Sequence, residues 1–120
     1  MSFNLTTRSI LDENYCLVLP KNSWEVFVFW KFSDFKISQF EKGYYLKNII
    51  FRVLDENKNI VADVPCEWAR AKFYISLPKF VNSITVELYA ENSNGKEKIS
   101  VSNEINISYE KEIKKEYTRI

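Results

Sequence analysis

Apolar and polar residues alternate with a period of two through most of this chain, the signature of half-buried β-strands. Residues 15–19 make a short apolar run closed by Pro20, and Lys21-Asn22-Ser23 is polar turn material. Along 24–32, Trp24, Val26, Val28, Trp30 and Phe32 share one parity, while Glu25, Phe27, Phe29 and Lys31 share the other. Both faces of that strand are therefore apolar enough to be at least partly covered, and it reads as a central strand.

The period then changes once. Ser33 is a candidate N-cap, Asp34 puts an anion in the first turn where the helix dipole favours it, and Ile37 and Phe40 share a face before Gly43 stops the helix. Two turns are too short to stand without tertiary packing. Residues 49–54 resume the strand pattern, Asp55-Glu56-Asn57-Lys58 is a turn and 59–64 return, which predicts a hairpin. Phe73, Ile75 and Leu77 alternate with Lys72, Tyr74 and Ser76. Ile84, Val86, Leu88 and Ala90 alternate with Thr85, Glu87 and Tyr89. Asn92-Ser93-Asn94-Gly95 supplies residues that tolerate positive φ, so a tight hairpin is expected to return Ile99, Val101, Ile105 and Ile107 on one buried parity.

Short strands with a turn about every ten residues predict an all-β fold, an immunoglobulin-like antiparallel β-sandwich of about seven strands with one short helix after the second. A five-stranded oligonucleotide-binding barrel is the alternative, and strand count favours the sandwich. The expected organisation is an N-terminal segment over 1–14, the sandwich over 15–109 and a mixed-charge tail over 110–120.

Composition narrows the chemistry. With 46% hydrophobic residues in 120, the chain can bury roughly two thirds of its unfolded surface and needs no metal or disulfide staple. Lys plus Arg is 17 against 16 for Asp plus Glu, so the basic field of a nucleic-acid binder is missing. There is no histidine, which removes Ser-His-Asp and Cys-His catalysis and His-ligated zinc together. The start carries no basic-then-apolar leader and no stretch reads as a membrane span; a cytoplasmic location is expected, and the acceptor patterns at Asn4 and Asn106 read as chance. Cys16, Trp30 and Cys66 loosely follow the order of an antibody-type sandwich, but Val64 stands where the tyrosine corner needs Tyr, and Pro65 puts Cys66 at a strand end or loop. Two reduced thiols are expected.

Leu17-Val18-Leu19-Pro20, then Asn22-Ser23-Trp24-Glu25-Val26-Phe27-Val28-Phe29-Trp30, a short helix, and Ile50-Phe51-Arg52-Val53-Leu54-Asp55 together resemble a bacterial family catalogued as domain of unknown function 4912. Lys72-Phe73-Tyr74-Ile75-Ser76-Leu77-Pro78 and Ser102-Asn103-Glu104-Ile105 extend the resemblance over about 15–107. The chain departs from that pattern in having Asn22-Ser23 for Asp-Pro, Lys31 for an acid, and Phe73-Tyr74 for Trp-Tyr. The resemblance implies a small immunoglobulin-like sandwich of unassigned activity, a companion of α-glucan enzymes of the glycogen-branching type, and so points to carbohydrate.

No nucleophile elbow, phosphate-cradling glycine loop or Cys-x-x-Cys pair is present, and Asp55, Glu56, Glu110 and Glu112 fall in a turn and a tail; no enzyme activity, cofactor or metal is expected. Sugar binding needs flat rings beside hydrogen-bonding groups on a rigid sheet. Tyr74, Tyr89, Glu87, Thr85, Arg52 and Ser100 occupy the polar parity of their strands and form one outward patch if those strands are neighbours. Trp68, between Glu67 and Arg70 without alternation, is expected in a loop at the sheet edge, and Trp24 is a further candidate ring beside Asn22. The expectation is thus an accessory module in which Trp68, Tyr74, Tyr89 and Trp24 stack on an α-glucan while Glu87 and Arg52 hold hydroxyls, with a polysaccharide or an α-glucan enzyme as partner and neither nucleic acid nor membrane. Cross-strand packing of the tyrosines and an Arg52–Glu87 ion pair are the plainer readings of the same residues. The alternative function is protein interaction or assembly through the Phe27 and Phe29 face or an open strand edge.

Overall fold

The computed structural model describes residues 13–107; the 110–120 tail and most of the 1–14 segment lie outside them. Strands β1 (Tyr15–Pro20) and β2 (Glu25–Lys31) pair as a hairpin, and β5 (Lys72–Ser76) lies on the other side of β2, giving an antiparallel three-stranded sheet in the order β1-β2-β5. The second sheet runs β4 (Ile60–Glu67), β3 (Asn48–Leu54), β6 (Ser83–Asn92), β7 (Gly95–Val101), and the two-residue β8 (Ile105–Asn106) pairs with the start of β6. All pairings are antiparallel, and the two sheets form a β-sandwich.

The core is what alternation requires. Val26, Val28 and Trp30 of β2 face Ile49, Phe51 and Val53 of β3 and Ile84, Val86, Leu88 and Ala90 of β6 within one buried cluster. Each such side chain, fully withdrawn from water, contributes about 1.5–3 kcal/mol. Helix α1 (Asp34–Glu41) starts where Ser33 accepts a hydrogen bond from the Lys36 amide and ends before Gly43, whose φ of 84° only glycine adopts without strain. Its Phe40 plugs one end of the core between Phe32 and Tyr45. Lys36 and Glu97 meet at the Tyr45 hydroxyl, at 2.6 and 3.0 Å, which ties the helix to β7.

Ser102 and Asn103 couple the two sheets. The Ser102 amide donates to the Val86 carbonyl and its Oγ accepts from the Val86 amide, continuing the β6 ladder between β7 and β8. The Asn103 carboxamide crosses to the other sheet, accepting from the Val18 amide at 2.9 Å and donating to the Val18 carbonyl at 3.0 Å. One side chain thereby acts as a peptide group would in the next strand.

The hairpin after Asn92 forms, and Ile99, Ile105 and Ile107 lie in or against the core, but Val101 does not share their facing. A register shift between Leu88 and Tyr89 places Ser100 opposite Leu88 on the inner face and Val101 opposite Glu87 on the outer one, where Val101 is 50% exposed. One extra residue on one strand reverses the facing of everything beyond it. Thr85, expected on a wet face, is buried. Cys66 sits one residue before the end of β4, and both Cys16 and Cys66 are free and buried. Burial pushes the Cys16 thiol up to about 12.

Candidate functional site

Two outward sheet faces compete for function, and the predicted site residues are spread over both and beyond them. On the five-stranded sheet, Arg52 of β3 stands opposite Glu87 of β6 and Asp63 of β4. Its guanidinium forms a two-point pair with Asp63 at 2.9 and 3.0 Å and lies 5.3 Å from the centre of the Tyr89 ring. The Tyr89 hydroxyl donates to Glu87 at 2.8 Å, and Lys98 of β7 pairs with Glu87 at 3.0 Å. The Arg52 bonds hold the Asp63 carboxyl below its ordinary range. Partial burial works to raise Glu87, but the Tyr89 and Lys98 hydrogen bonds outweigh it and its carboxyl titrates low; burial and the Glu87 bond together raise Tyr89. Arg52, Glu87 and Tyr89 are thus brought together as expected, yet each is engaged by another, and the Tyr89 face a sugar would need is covered by a cation.

Tyr74 is not part of that patch. It lies on β5, on the outer face of the three-stranded sheet, 50% exposed and opposite Phe27. Nor is Trp68 an open loop ring. It begins a 3-10 turn (Trp68–Arg70), half-buried against the core, with its indole stacked on Phe40 at 5.0 Å and 13° and its carbonyl accepting from the Trp30 indole N–H at 3.0 Å. The remaining open edge of Trp68 borders a shallow cleft of about 230 Å³ with Phe32, Asp34 and Ile37. Trp24, just before β2, is exposed and meets Phe80 edge-on at 6.5 Å. The expected carbohydrate residues therefore occupy four separate places.

The outer face of the three-stranded sheet is a single apolar surface. Residues opposite one another in an antiparallel pair share a face, so Leu17 with Phe29, and Leu19 with Phe27 and Tyr74, form two cross-strand rows with Tyr15 beside them. Leu17 and Leu19 are 48% and 49% exposed. Phe27 stands edge-on to Phe29 at 4.4 Å and tilted against Tyr74 at 4.6 Å, so the three rings are in contact without being coplanar. Lys21 caps the Tyr74 ring at 4.3 Å and pairs with Glu25, and Lys72 extends from the far strand. A patch of several large apolar side chains rimmed by charges is how interaction sites differ from ordinary monomer surface. Phe27 and Phe29 carried a sequence signal, apolar residues on the second parity of a strand. Leu17 and Leu19 carry the same one, masked by a run in which no polar residue marks the outward side.

Among the described residues, no cluster of His, Cys, Asp or Glu is arranged to hold a metal ion, and no helix is long and apolar enough to cross a membrane.

The family model described as a domain of unknown function (DUF4912) matches residues 12–116. Among solved structures, the crystal structure of CopC from Methylosinus trichosporium OB3b is similar, at 14% identity over 77% of this chain and 84% of that chain, with a TM-score of 0.36. No curated protein matches.

Proposed function

This chain belongs to the DUF4912 family, and on that premise we propose that it is a non-catalytic binding module that recognises a partner protein through the outer face of its three-stranded sheet. The observation that carries the reading is the surface of Leu17, Leu19, Phe27, Phe29 and Tyr74, apolar on both edges and in the middle of one sheet, with Leu17, Leu19 and Tyr74 exposed and the two phenylalanines half-buried between them. Covering such a surface releases ordered water at about 25 cal/mol for each Å² of apolar area, and polar neighbours at the rim supply orientation.

An α-glucan is the rival occupant. Pyranose stacking needs a ring face lying open beside groups that bond hydroxyls. Here Lys21 lies over the exposed Tyr74 ring, and the groups suited to hydroxyls, Arg52 and Glu87, lie on the opposite sheet in ion pairs. An α-glucan enzyme remains a candidate for the partner.

Capture from cell extract by wild type, by a Leu17→Ser/Tyr74→Ala variant and by Tyr89→Ala separates these readings, with circular dichroism confirming that all three are folded. A partner bound by wild type and Tyr89→Ala but lost by the face variant is the expected result. Proteins retained equally by the face variant overturn the reading. Retardation of wild type in glycogen gels, abolished by Tyr89→Ala, restores the carbohydrate one.

A further inference from the structure

We propose that the partner contributes an extended segment, alternately apolar and acidic, that adds as a fourth strand along the open edge of β5. This deepens the reading of the apolar face and rests on it.

The hydrogen-bond pattern shows which backbone groups are open. The Trp30 amide donates to the Ala71 carbonyl at 3.0 Å and the Leu77 amide to the Trp24 carbonyl at 2.7 Å. Bonding partners recur at every second residue of an antiparallel pair, so Phe73 and Ile75 also turn their backbone toward β2. Lys72, Tyr74 and Ser76 consequently direct their N–H and C=O groups away from the sheet, and no described strand lies on that side. The opposite edge is interrupted. On β1 the outward groups of Val18 are both bonded to Asn103, and Pro20 has no N–H to offer. The β1 edge is blocked at its middle and end, and the β5 edge is left as a template.

Side chains at the open edge state what kind of strand fits. A strand added to β5 sets every second side chain beside Tyr74 on the apolar face, extending its rows by one position. At this edge Phe27, Phe73 and Tyr74 line a shallow pocket of about 210 Å³ with Arg70 and Lys72, large enough to seat one apolar side chain between two cations. Arg70 lies over the Phe73 ring at 5.5 Å, and β5 contains no carboxylate. Glu25, opposite Ser76 on this face, is held by Lys21 and Asn22, and Glu67, before the 3-10 turn, pairs with Lys47. The edge therefore favours acidic residues in the incoming strand. A second copy of this chain would instead bring another Lys72 and Arg70 and no acid, which disfavours pairing of β5 with itself.

The test titrates the ¹⁵N-labelled full chain with a capped peptide of sequence Glu-Val-Asp-Val-Glu-Val-Asp and with its counterpart carrying lysine for every acid. Ser76→Pro removes one outward donor and leaves Tyr74 and Lys72 in place; a peptide N-methylated at alternate residues tests the same bonds should that variant fold poorly. The acidic peptide is expected to slow amide exchange at Lys72, Tyr74 and Ser76, to bind more tightly than the lysine peptide, and to lose affinity about tenfold on Ser76→Pro or N-methylation. Shifts at Leu17, Phe27 and Phe29 without protection of those three amides overturn strand addition and leave the face reading standing. Equal binding of the lysine peptide overturns the acidic preference, self-association through β5 in place of peptide binding overturns the choice of partner, and no shift anywhere at millimolar peptide overturns strand addition, while extract capture by the Leu17→Ser/Tyr74→Ala variant decides the face reading separately.

Discussion

Replacing Trp68 by alanine measures whether its ring is part of the core or a platform for a ligand. The indole lies parallel to Phe40 at 5.0 Å and packs partly against the buried cluster, while its backbone carbonyl, which holds the Trp30 indole N–H, is unaffected by the substitution. Removing about 100 Å² of buried apolar surface costs about 2.5 kcal/mol, and losing an offset aromatic pair adds about 1. The expected destabilisation is therefore about 3.5 kcal/mol, which lowers the melting temperature by roughly 10–20 °C in a domain of this size. Typical stabilities of about 5–15 kcal/mol leave the variant folded. Urea unfolding followed by far-ultraviolet circular dichroism gives the value, and Trp68→Phe should recover most of it because a smaller ring still stacks on Phe40. A loss under about 1 kcal/mol for Trp68→Ala, with Trp68→Phe no better, would refute the packing argument and return Trp68 to the list of candidate ligand rings.

Three further outcomes follow from the same structure. Asn103→Ala removes both bonds to the Val18 backbone and should cost about 1–3 kcal/mol, with faster amide exchange at Val18; unchanged exchange there would show that the carboxamide does not hold the sheets together. Asp63 titrates below its ordinary 3.8 in the folded chain because of its Arg52 bonds, so the stability it contributes is complete above that value and is lost as pH falls through the lower folded one; Asp63→Asn should flatten the fall of the urea midpoint in that acid window, and an unaltered slope would contradict the pairing. Cys16, buried and with its thiol pushed up to about 12, should resist aromatic disulfide reagents at pH 8 until urea unfolds the chain, as should Cys66; rapid labelling of the native protein would show that the core opens locally.

Much of the fold was legible because the pleat turns successive side chains to opposite faces, so alternation separates inside from outside strand by strand. Ser33 and Gly43 bounded the helix by their own backbone chemistry, and Asn92 to Gly95 marked the hairpin for the same reason. The site was less legible, since parity says which side of a strand a residue occupies and nothing about which sheet the strand joins. Tyr74 and Tyr89 have the same parity signal and lie on opposite outer surfaces of the sandwich. Trp68 has no period around it, and its place was decided by Phe40, twenty-eight residues earlier in sequence and adjacent only in space. Ser100 and Val101 changed faces through a bulge that leaves no mark in the pattern.

The first two strands point to a different mismatch. A run that is apolar on both parities ordinarily belongs to a strand covered on both sides. In β1, Cys16 and Val18 face the core while Tyr15, Leu17 and Leu19 face outward, and in β2 Phe27 and Phe29 do the same opposite Val26 and Val28. The outward rows of the second sheet are mixed, for beside Ile50, Tyr89 and Val101 they carry Arg52 paired with Asp63 and Glu87 paired with Lys98. The two sheets thus share one core but have different surroundings written into their outer parities. On the proposed reading the three-stranded sheet meets an apolar neighbour, and β5, the edge along which no described strand lies, is where that neighbour has backbone to join.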